Sequence, residues 1–232
     1  MKIKTFLYYL KYKINHIYIN IFYLKKGKNT YISKSAQLFG VKNMYFGSNS
    51  IIGDDTIITI NNRIQNTKQL KIYDNVYIGR NNFISVGGGI SIGSYCIFGN
   101  NCSLICSDHN FNDPFLPYSM TGATHTKFIT VGVNCWFGNN VTILGNINIG
   151  HGTVIGANAL VTKDIPPFSL VVGNPAYILK RFNFKKNIWE LNKNFISEQD
   201  ISEIEYLKIL STKFKTINLS LHSASKQFGN LC

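Results

Sequence analysis

The chain has 232 residues, of which 45% are hydrophobic and 15% are charged. This composition is typical of a globular protein with a real core and excludes a disordered one. The net charge of +13 at pH 7 favours anionic partners such as phosphates, acidic glycans or anionic lipid. The sequence has no arginine-rich run, zinc-finger spacing or RNA-binding aromatic motif, so nucleic acid is not an expected partner.

Residues 1–29 form a basic N-terminal segment. Apolar residues at positions 3, 7, 10, 14, 17, 21 and 24 keep a spacing of three or four, which predicts an amphipathic helix over about residues 3–24. The apolar run from Phe6 to Leu10 is too short for a signal-peptide core, and no uncharged run approaches the length of a membrane span. Two roles stay open for this helix, namely capping the fold that follows or docking to an anionic membrane surface.

A six-residue repeat organises the middle of the chain. Aliphatic or aromatic residues recur six positions apart in four runs: Phe46, Ile52 and Ile58; Ile72, Ile78 and Ile84; Ile92, Phe98 and Leu104; and Val131, Phe137, Ile143, Ile149, Ile155 and Val161. Glycine often follows the repeated residue, and a small or β-branched residue often lies four positions after it. A helix would show spacings of three and four, and a lone strand a spacing of two.

Period six fits a short strand followed by a tight corner, so that three hexads close one triangular coil of about 18 residues. Glycine and asparagine in GNN at 99–101 and 138–140 tolerate the positive φ of such corners. The sequence therefore predicts an all-β parallel solenoid over residues 30–176.

The five cysteines favour a reduced protein. Cys96, Cys102 and Cys135 occupy the small inward position of their hexads, and we expect them to be buried as small hydrophobic residues. No CxxC pair is present, and an unexported chain of this kind is expected in the cytoplasm, either free there or peripheral to the inner membrane.

The repeat is interrupted at three places. The spacing is eight residues between Ile64 and Ile72, again eight across glycines 87–89, and 27 between Leu104 and Val131. Residues 107–128 are therefore predicted to leave the coil as a long loop, and such loops are usually functional. His109 and Trp136 each lie five positions after a repeated residue, which predicts that both side chains point outward.

Two segments, FGNNCSLICSDHN (98–110) and VGVNCWFGNNVTILGNINIGHGTVIGANALVTKDIPPFSLVVGNPA (131–176), carry a family resemblance. They resemble the hexapeptide-repeat acyltransferases, which fold as left-handed β-helices. Within that superfamily they are most similar to the galactoside acetyltransferases and to the O-acetyltransferases of capsule and lipopolysaccharide. The resemblance implies acetyl-CoA as co-substrate, a homotrimer, and His109 as the general base that deprotonates an acceptor hydroxyl, a role that imidazole chemistry suits.

The same resemblance implies the residues that contact CoA. They are Asn139, Ala157, Thr162, Lys163 and Lys180, with Trp136 lining the thioester or acceptor site. Asn139 and Ala157 are 18 positions apart and are expected to stack on successive coils. Tyr177 departs from the family, since the galactoside enzymes carry an arginine there; either Tyr177 stacks on adenine or Arg181 compensates.

The acceptor side matches the galactoside enzymes less well. Glycines 87–89 occupy the region where those enzymes carry an acidic residue, which leaves Asn81 or Asn82 as the expected polar contact. His125 is interpreted as a solvated histidine, with a substrate contact as the alternative, and His151 is predicted on the surface. The five histidines include no close pair, so no metal site is expected.

Residues 177–232 are predicted to form a C-terminal helical extension and tail. Ser197 and Asp200 give a helix start, with a helix over about 198–211 and a loose polar tail after residue 216.

The sequence as a whole predicts an acetyl-CoA-dependent O-acetyltransferase acting on a sugar hydroxyl of a bacterial surface polysaccharide or its precursor. The alternatives are N-acetylation of a nucleotide-linked amino sugar, and a non-catalytic solenoid that binds other molecules.

Overall fold

The computed structural model describes residues 24–61, 69–195 and 201–217. Short strands make up most of this part of the chain. In chain order they are β1 (Lys25–Lys26), β2 (Tyr31–Ile32), β3 (Gln37–Phe39), β4 (Met44–Phe46), β5 (Ile51–Ile52), β6 (Ile57–Ile60), β7 (Leu70–Ile72), β8 (Tyr77–Ile78), β9 (Phe83–Val86), β10 (Gly89–Ile92), β11 (Ile97–Phe98), β12 (Ser103–Ile105), β13 (Asp108–His109), β14 (Ala123–Thr124), β15 (Phe128–Val131), β16 (Trp136–Phe137), β17 (Thr142–Leu144), β18 (Ile147–Ile149), β19 (Val154–Ile155), β20 (Leu160–Val161), β21 (Ser169–Val172), β22 (Tyr177–Asn183) and β23 (Ile188–Leu191). Three-residue 3-10 turns lie at Val41–Asn43, Tyr118–Met120 and Asn192–Asn194.

Successive strands of the coil belong in turn to the first, second and third of three sheets. The first sheet has the order β1-β4-β7-β10-β15-β18, the second begins β2-β5-β8-β11-β16-β19-β21, and the third runs β3-β6-β9-β12-β17-β20. Within these series every pairing is parallel, as between β11 and β16, where Phe98 lies beside Phe137. The chain thus coils through three parallel sheets, as the period of six predicts.

The core is the column of repeated residues. Every member of the four hexad runs is buried, and so are the residues of the small inward position, among them Ser50, Thr56, Val141 and Ala159. Phe98 and Phe137 stack face to face on neighbouring coils, with ring centroids 4.1 Å apart. The three cysteines expected in the small position, Cys96, Cys102 and Cys135, are free and buried. The predicted hexad register is therefore confirmed.

In the two GNN corners, asparagine adopts the positive φ that the sequence predicted for asparagine and glycine alike. Asn101 and Asn140 adopt the positive φ of the turn, since asparagine tolerates the left-handed region. Gly99 and Gly138 do not. A Cβ at Gly138 would lie 2.6 Å from the backbone nitrogen of Ala157 on the next coil. These glycines are needed because the stacked coils approach too closely for a side chain.

Gly138→Ala is expected to destabilise the fold by about 1–3 kcal/mol, because the added methyl group forces two backbone segments apart. Gly156 is the matched control one coil along, since a Cβ there first meets the mobile Cγ1 of Val172 at 3.0 Å. Urea unfolding of both variants checks this. Equal loss of stability in Gly138→Ala and Gly156→Ala would contradict the close-approach explanation.

Each predicted break in the repeat falls between a strand of the third sheet and the next strand of the first sheet. In the first break, between β6 and β7, residues 62–68 are outside the described residues. The second break is Gly87 and Gly88, between β9 and β10, and the third is the loop between β12 and β15. Gly88 donates its N–H to the Lys127 carbonyl at 3.0 Å, and a Cβ at Gly87 would collide with the Cys106 carbonyl. The glycine run therefore lets the extruded loop begin and end close to the coil.

The C-terminal segment differs from the helical extension that was predicted from residue 177. β22 and β23 form an antiparallel hairpin that continues the second sheet beyond β21. Its aromatic residues pack together, since the centroid of the Phe182 ring lies 5.0 Å from that of Phe184 and 5.4 Å from that of Trp189. The hairpin pairs the edge of β21, which would otherwise present unpaired backbone groups.

A helix, α1 (Glu203–Ile217), lies in a second compact unit of the chain. Its first turn is capped by Ser202, whose Oγ accepts the Glu205 N–H at 3.3 Å, in the S-x-x-E pattern of a capping box. The predicted start at Ser197 and Asp200, the predicted helix over residues 3–24 up to residue 23, and the tail after residue 217 lie outside the described residues. Among the residues that are described, no helix is long and apolar enough to cross a membrane.

Candidate functional site

The root of the extruded loop is a two-stranded hairpin that carries His109. β13 pairs antiparallel with β14, so that Asp108 lies beside Thr124 and His109 beside Ala123. His109 is exposed, as its outward hexad position predicts. In the part of the chain that the structure describes, its backbone N–H bonds to Asp108 Oδ1 while its ring makes no hydrogen bond. The imidazole is therefore available to an incoming molecule.

Two aspartates near His109, Asp108 and Asp113, hold the loop. Lys127 Nζ donates to Asp108 Oδ2 at 2.9 Å, and this hydrogen bond holds the pKa of the Asp108 carboxyl below its usual value. Asp113 Oδ1 accepts the Phe115 N–H at 2.9 Å. Asp108 thus ties the start of the loop to its end.

An open cleft of about 660 Å³ lies at this corner. Its polar lining consists of Asn61, Ser107, Asp108, His109 and His125, and its apolar lining of Ile60 and Ala123. The volume is within the range of small-molecule sites. No group of three or more potential metal ligands occurs among the described residues.

His125 had been interpreted as a solvated histidine, but the structure places it in the wall of the cleft. Its Nδ1 is buried and has no hydrogen-bond partner within the described ranges. Because the residue lines a cleft that a ligand can enter, the alternative of a substrate contact fits the structure better.

Three polar residues that no sequence motif indicated form a network beside the cleft. Asn61 Nδ2 donates to Ser107 Oγ at 2.7 Å and to Ser85 Oγ at 2.9 Å, and the two serine hydroxyls lie 2.9 Å apart. The sequence signal that relates them is their position: each lies near the end of β6, β9 or β12, which are neighbours in the third sheet. The breaks in the repeat hide this common location.

Asn82 was predicted to contact the acceptor, and the structure contradicts this. Its side chain is only 2% exposed. Its amide donates to the carbonyls of Gly79 and Gly99, and its Oδ1 accepts the Cys102 N–H. Because the position is inward, the carboxamide satisfies backbone groups of two coils. Asn81, the other candidate, forms the corner and bonds to Asn101 at 2.7 Å.

The positions that the resemblance assigned to CoA are spread over the outside of the coil. Asn139 and Ala157 are exposed and stacked on neighbouring coils, since the Asn139 carbonyl accepts the Asn158 N–H at 3.0 Å. Asn139 Oδ1 accepts the Asn100 N–H. Trp136 is 56% exposed in β16. None of these residues lines the cleft of His109.

The remaining predicted contacts lie further along the chain. Thr162 and Lys163 are exposed just after β20, and Lys180 is half-buried in β22. Tyr177 is exposed, whereas the Arg181 guanidinium lies over the Phe195 ring at 4.7 Å. The galactoside enzymes carry an arginine at the position of Tyr177. Of the two residues predicted to take over its role, Tyr177 is the one whose side chain is exposed to a ligand.

His151 was predicted on the surface but is buried, which corrects that interpretation. Its ring meets the edge of Phe168 at 4.9 Å. Phe168 also lies against Gly152 and covers this corner, which the hexad position alone did not indicate.

The chain is similar in sequence to bacterial proteins named as acetyltransferases. It is 40% identical over 116 residues to "Putative acetyltransferase SAV2555" of Staphylococcus aureus, a match that covers 49% of this chain and 56% of that protein. It is 28% identical over 130 residues to "Putative lipopolysaccharide biosynthesis O-acetyl transferase WbbJ" of Escherichia coli, covering 52% of this chain and 62% of that protein. The chain thus spans little more than half the length of these relatives. No family model matches it.

Solved structures share the fold. AntD, an N-acyltransferase from Bacillus cereus crystallised with coenzyme A and dTDP-4-amino-4,6-dideoxyglucose, superposes with a TM-score of 0.59 at 20% identity, covering 72% of this chain and 88% of AntD. The hexapeptide-repeat acetyltransferase VCA0836 from Vibrio cholerae gives a TM-score of 0.50 at 21% identity, covering 71% and 77%. The resemblance to hexapeptide-repeat acyltransferases is confirmed by these sequence similarities and by the shared fold.

Proposed function

We propose that this chain, which is similar to the hexapeptide-repeat acyltransferases in sequence and fold, is an acetyl-CoA-dependent O-acetyltransferase acting on a sugar hydroxyl. The observation that carries the proposal is the exposed His109 imidazole at the root of the extruded loop, in the wall of a cleft that also contains polar side chains. We also infer that the coil is left-handed, as in that superfamily. The O-acetyl transferase name of the Escherichia coli relative supports a surface polysaccharide or its precursor as the acceptor.

In the proposed reaction His109 acts as general base. A ring nitrogen takes the proton of the acceptor hydroxyl while the hydroxyl oxygen attacks the thioester carbonyl carbon. The carbon–sulfur bond then breaks, and the imidazolium returns the proton to the leaving thiolate to give free CoA. Backbone N–H groups of a neighbouring coil would stabilise the oxyanion. The Asp108–Lys127 pair acts here by fixing the strand that carries His109.

Acetyl-CoA is proposed to lie along the outside of the coil. Asn139 and Ala157 are exposed at the same corner of successive coils, which suits an extended pantetheine arm. Thr162 and Lys163 are exposed just after β20, and Lys180 is half-buried in β22; a lysine supplies charge for a CoA phosphate. Trp136 presents an aromatic surface to the thioester or the acceptor.

We propose that the protein assembles as a homotrimer with each active site between two subunits. The outward face of the second sheet supports assembly, because Tyr31, Tyr77, Ile97 and Trp136 are exposed and follow the same row of strand pairs. Large apolar patches of this kind mark interaction surfaces. A monomer found by analytical ultracentrifugation at micromolar concentration would contradict the assembly.

The proposal is tested by following thiol release from acetyl-CoA with a panel of neutral, acidic and amino sugars. O-acetylation predicts turnover with a sugar that has hydroxyls but no free amine. Turnover only with amino sugars, free or nucleotide-linked, would favour the alternative of N-acetylation, a reaction class to which AntD belongs. If purified protein consumes acetyl-CoA with none of these sugars, the non-catalytic solenoid becomes the better interpretation.

A further inference from the structure

The network of Asn61, Ser85 and Ser107 leaves one hydroxyl hydrogen unused. Thr59 Oγ1 donates a hydrogen bond to Asn61 Oδ1 at 3.3 Å. This bond sets the orientation of the Asn61 amide. Both hydrogens of Asn61 Nδ2 are then taken up by the two serine oxygens. The two hydroxyls carry two hydrogens between them, and one of these forms the bond between the serines.

The unused hydrogen belongs to Ser107. Ser85 is buried, and its hydroxyl has only Asn61 and Ser107 as partners among the described residues. If Ser107 donated to Ser85, the Ser85 hydrogen would be buried without an acceptor, which is unfavourable. Ser85 therefore donates to Ser107, and the Ser107 hydrogen has no acceptor among the described residues at the cleft that this residue lines.

His125 offers the complementary group. The residue lines the same cleft, and its ring makes no hydrogen bond in the described part of the chain. A sugar hydroxyl both accepts and donates hydrogen bonds, so one such hydroxyl satisfies a serine donor and an imidazole nitrogen together.

We propose that Ser107 and His125 form an acceptor subsite beside His109 that binds a second hydroxyl of the sugar, next to the one that is acetylated. The inference rests on the proposed function and names its substrate class, a sugar presenting at least two neighbouring hydroxyls. Asn61 and Ser85 are positioning residues, because they act by holding the Ser107 hydroxyl in one orientation.

The test compares wild type, Ser107→Ala and Ser107→Thr with the best sugar of the acceptor panel. The alanine variant is expected to raise the KM for the sugar about tenfold, the factor for loss of one hydrogen bond of ordinary strength, and to leave the KM for acetyl-CoA unchanged. The threonine variant, which keeps the hydroxyl, restores the sugar KM. Ser103→Ala is the matched control, since Ser103 lies on β12 of the same sheet and does not line the cleft.

Deoxy analogues of the same sugar separate recognition from a structural effect. With the analogue that lacks the contacted hydroxyl, wild type and Ser107→Ala should have the same KM, because the interaction is already absent. A purely structural role would instead lower the melting temperature and impair all acceptors alike, which overturns the inference. An unchanged sugar KM in Ser107→Ala also overturns it while leaving the proposed function intact. Absence of transfer to any sugar by wild type removes the proposed function and this inference together.

Discussion

His109→Ala is expected to lower kcat for acetyl transfer by about 10²–10⁴-fold, the usual contribution of a positioned general base. The melting temperature should stay close to that of wild type, because His109 is exposed and its ring makes no hydrogen bond within the described residues. Thiol release from acetyl-CoA at saturating sugar measures the first quantity and calorimetry the second.

Asn110→Ala is the control for disturbance of the loop. Asn110 is exposed beside His109, and within the described ranges its side chain only accepts the nearby Asn112 N–H, so its removal should change kcat little. Near-wild-type transfer by His109→Ala would exclude the general-base mechanism. Equal losses in both variants would show that loop order, rather than the imidazole, limits the rate.

Phe137→Ala is expected to destabilise the protein by about 3–5 kcal/mol, the range for removal of a buried phenylalanine. Phe137 is fully buried and stacks on Phe98 of the preceding coil. Each coil of a solenoid contacts only its neighbours, so the cavity interrupts the column of side chains that joins them. For a chain of this length the melting temperature should fall by about 10 °C.

Phe111→Ala removes the same side chain from the extruded loop, where Phe111 is 64% exposed. That variant should change stability by no more than about 0.5 kcal/mol. Thermal and urea unfolding of both variants supply the comparison. If Phe137→Ala unfolds like wild type, the stacked column does not hold neighbouring coils together.

Much of the candidate site followed from the register of the repeat. The outward positions of His109 and Trp136 and the stacking of Asn139 on Ala157 could be predicted, because each depends only on counting from a buried hexad position. The predicted exposure of Asn82 and His151 was wrong for related reasons. The inward carboxamide of Asn82 bonds to backbone of two coils, and Phe168 covers His151, contacts that no local pattern indicates.

The C-terminal hairpin shows the same limit. The spacing of apolar residues within 177–191 did not reveal that the edge of β21 lacked a partner strand. Pairing with that edge is the reason that this segment forms strands and not a helix. Sequence-based assignment of a segment to helix or strand is weakest where tertiary contact overrides local preference.

The sequence by itself determined the coil. With a period of six and small residues at a constant offset, each hexad forms one short strand and one tight corner, and the same local geometry recurs in every hexad. It also determined where the coil is interrupted. Only the tertiary structure decided what those interruptions build. Asn61 and Ser107 are 46 residues apart along the chain, yet stacking of the coils brings them together at one corner. Their hydrogen bonds depend on the distance between neighbouring strands, which no single segment of the chain encodes.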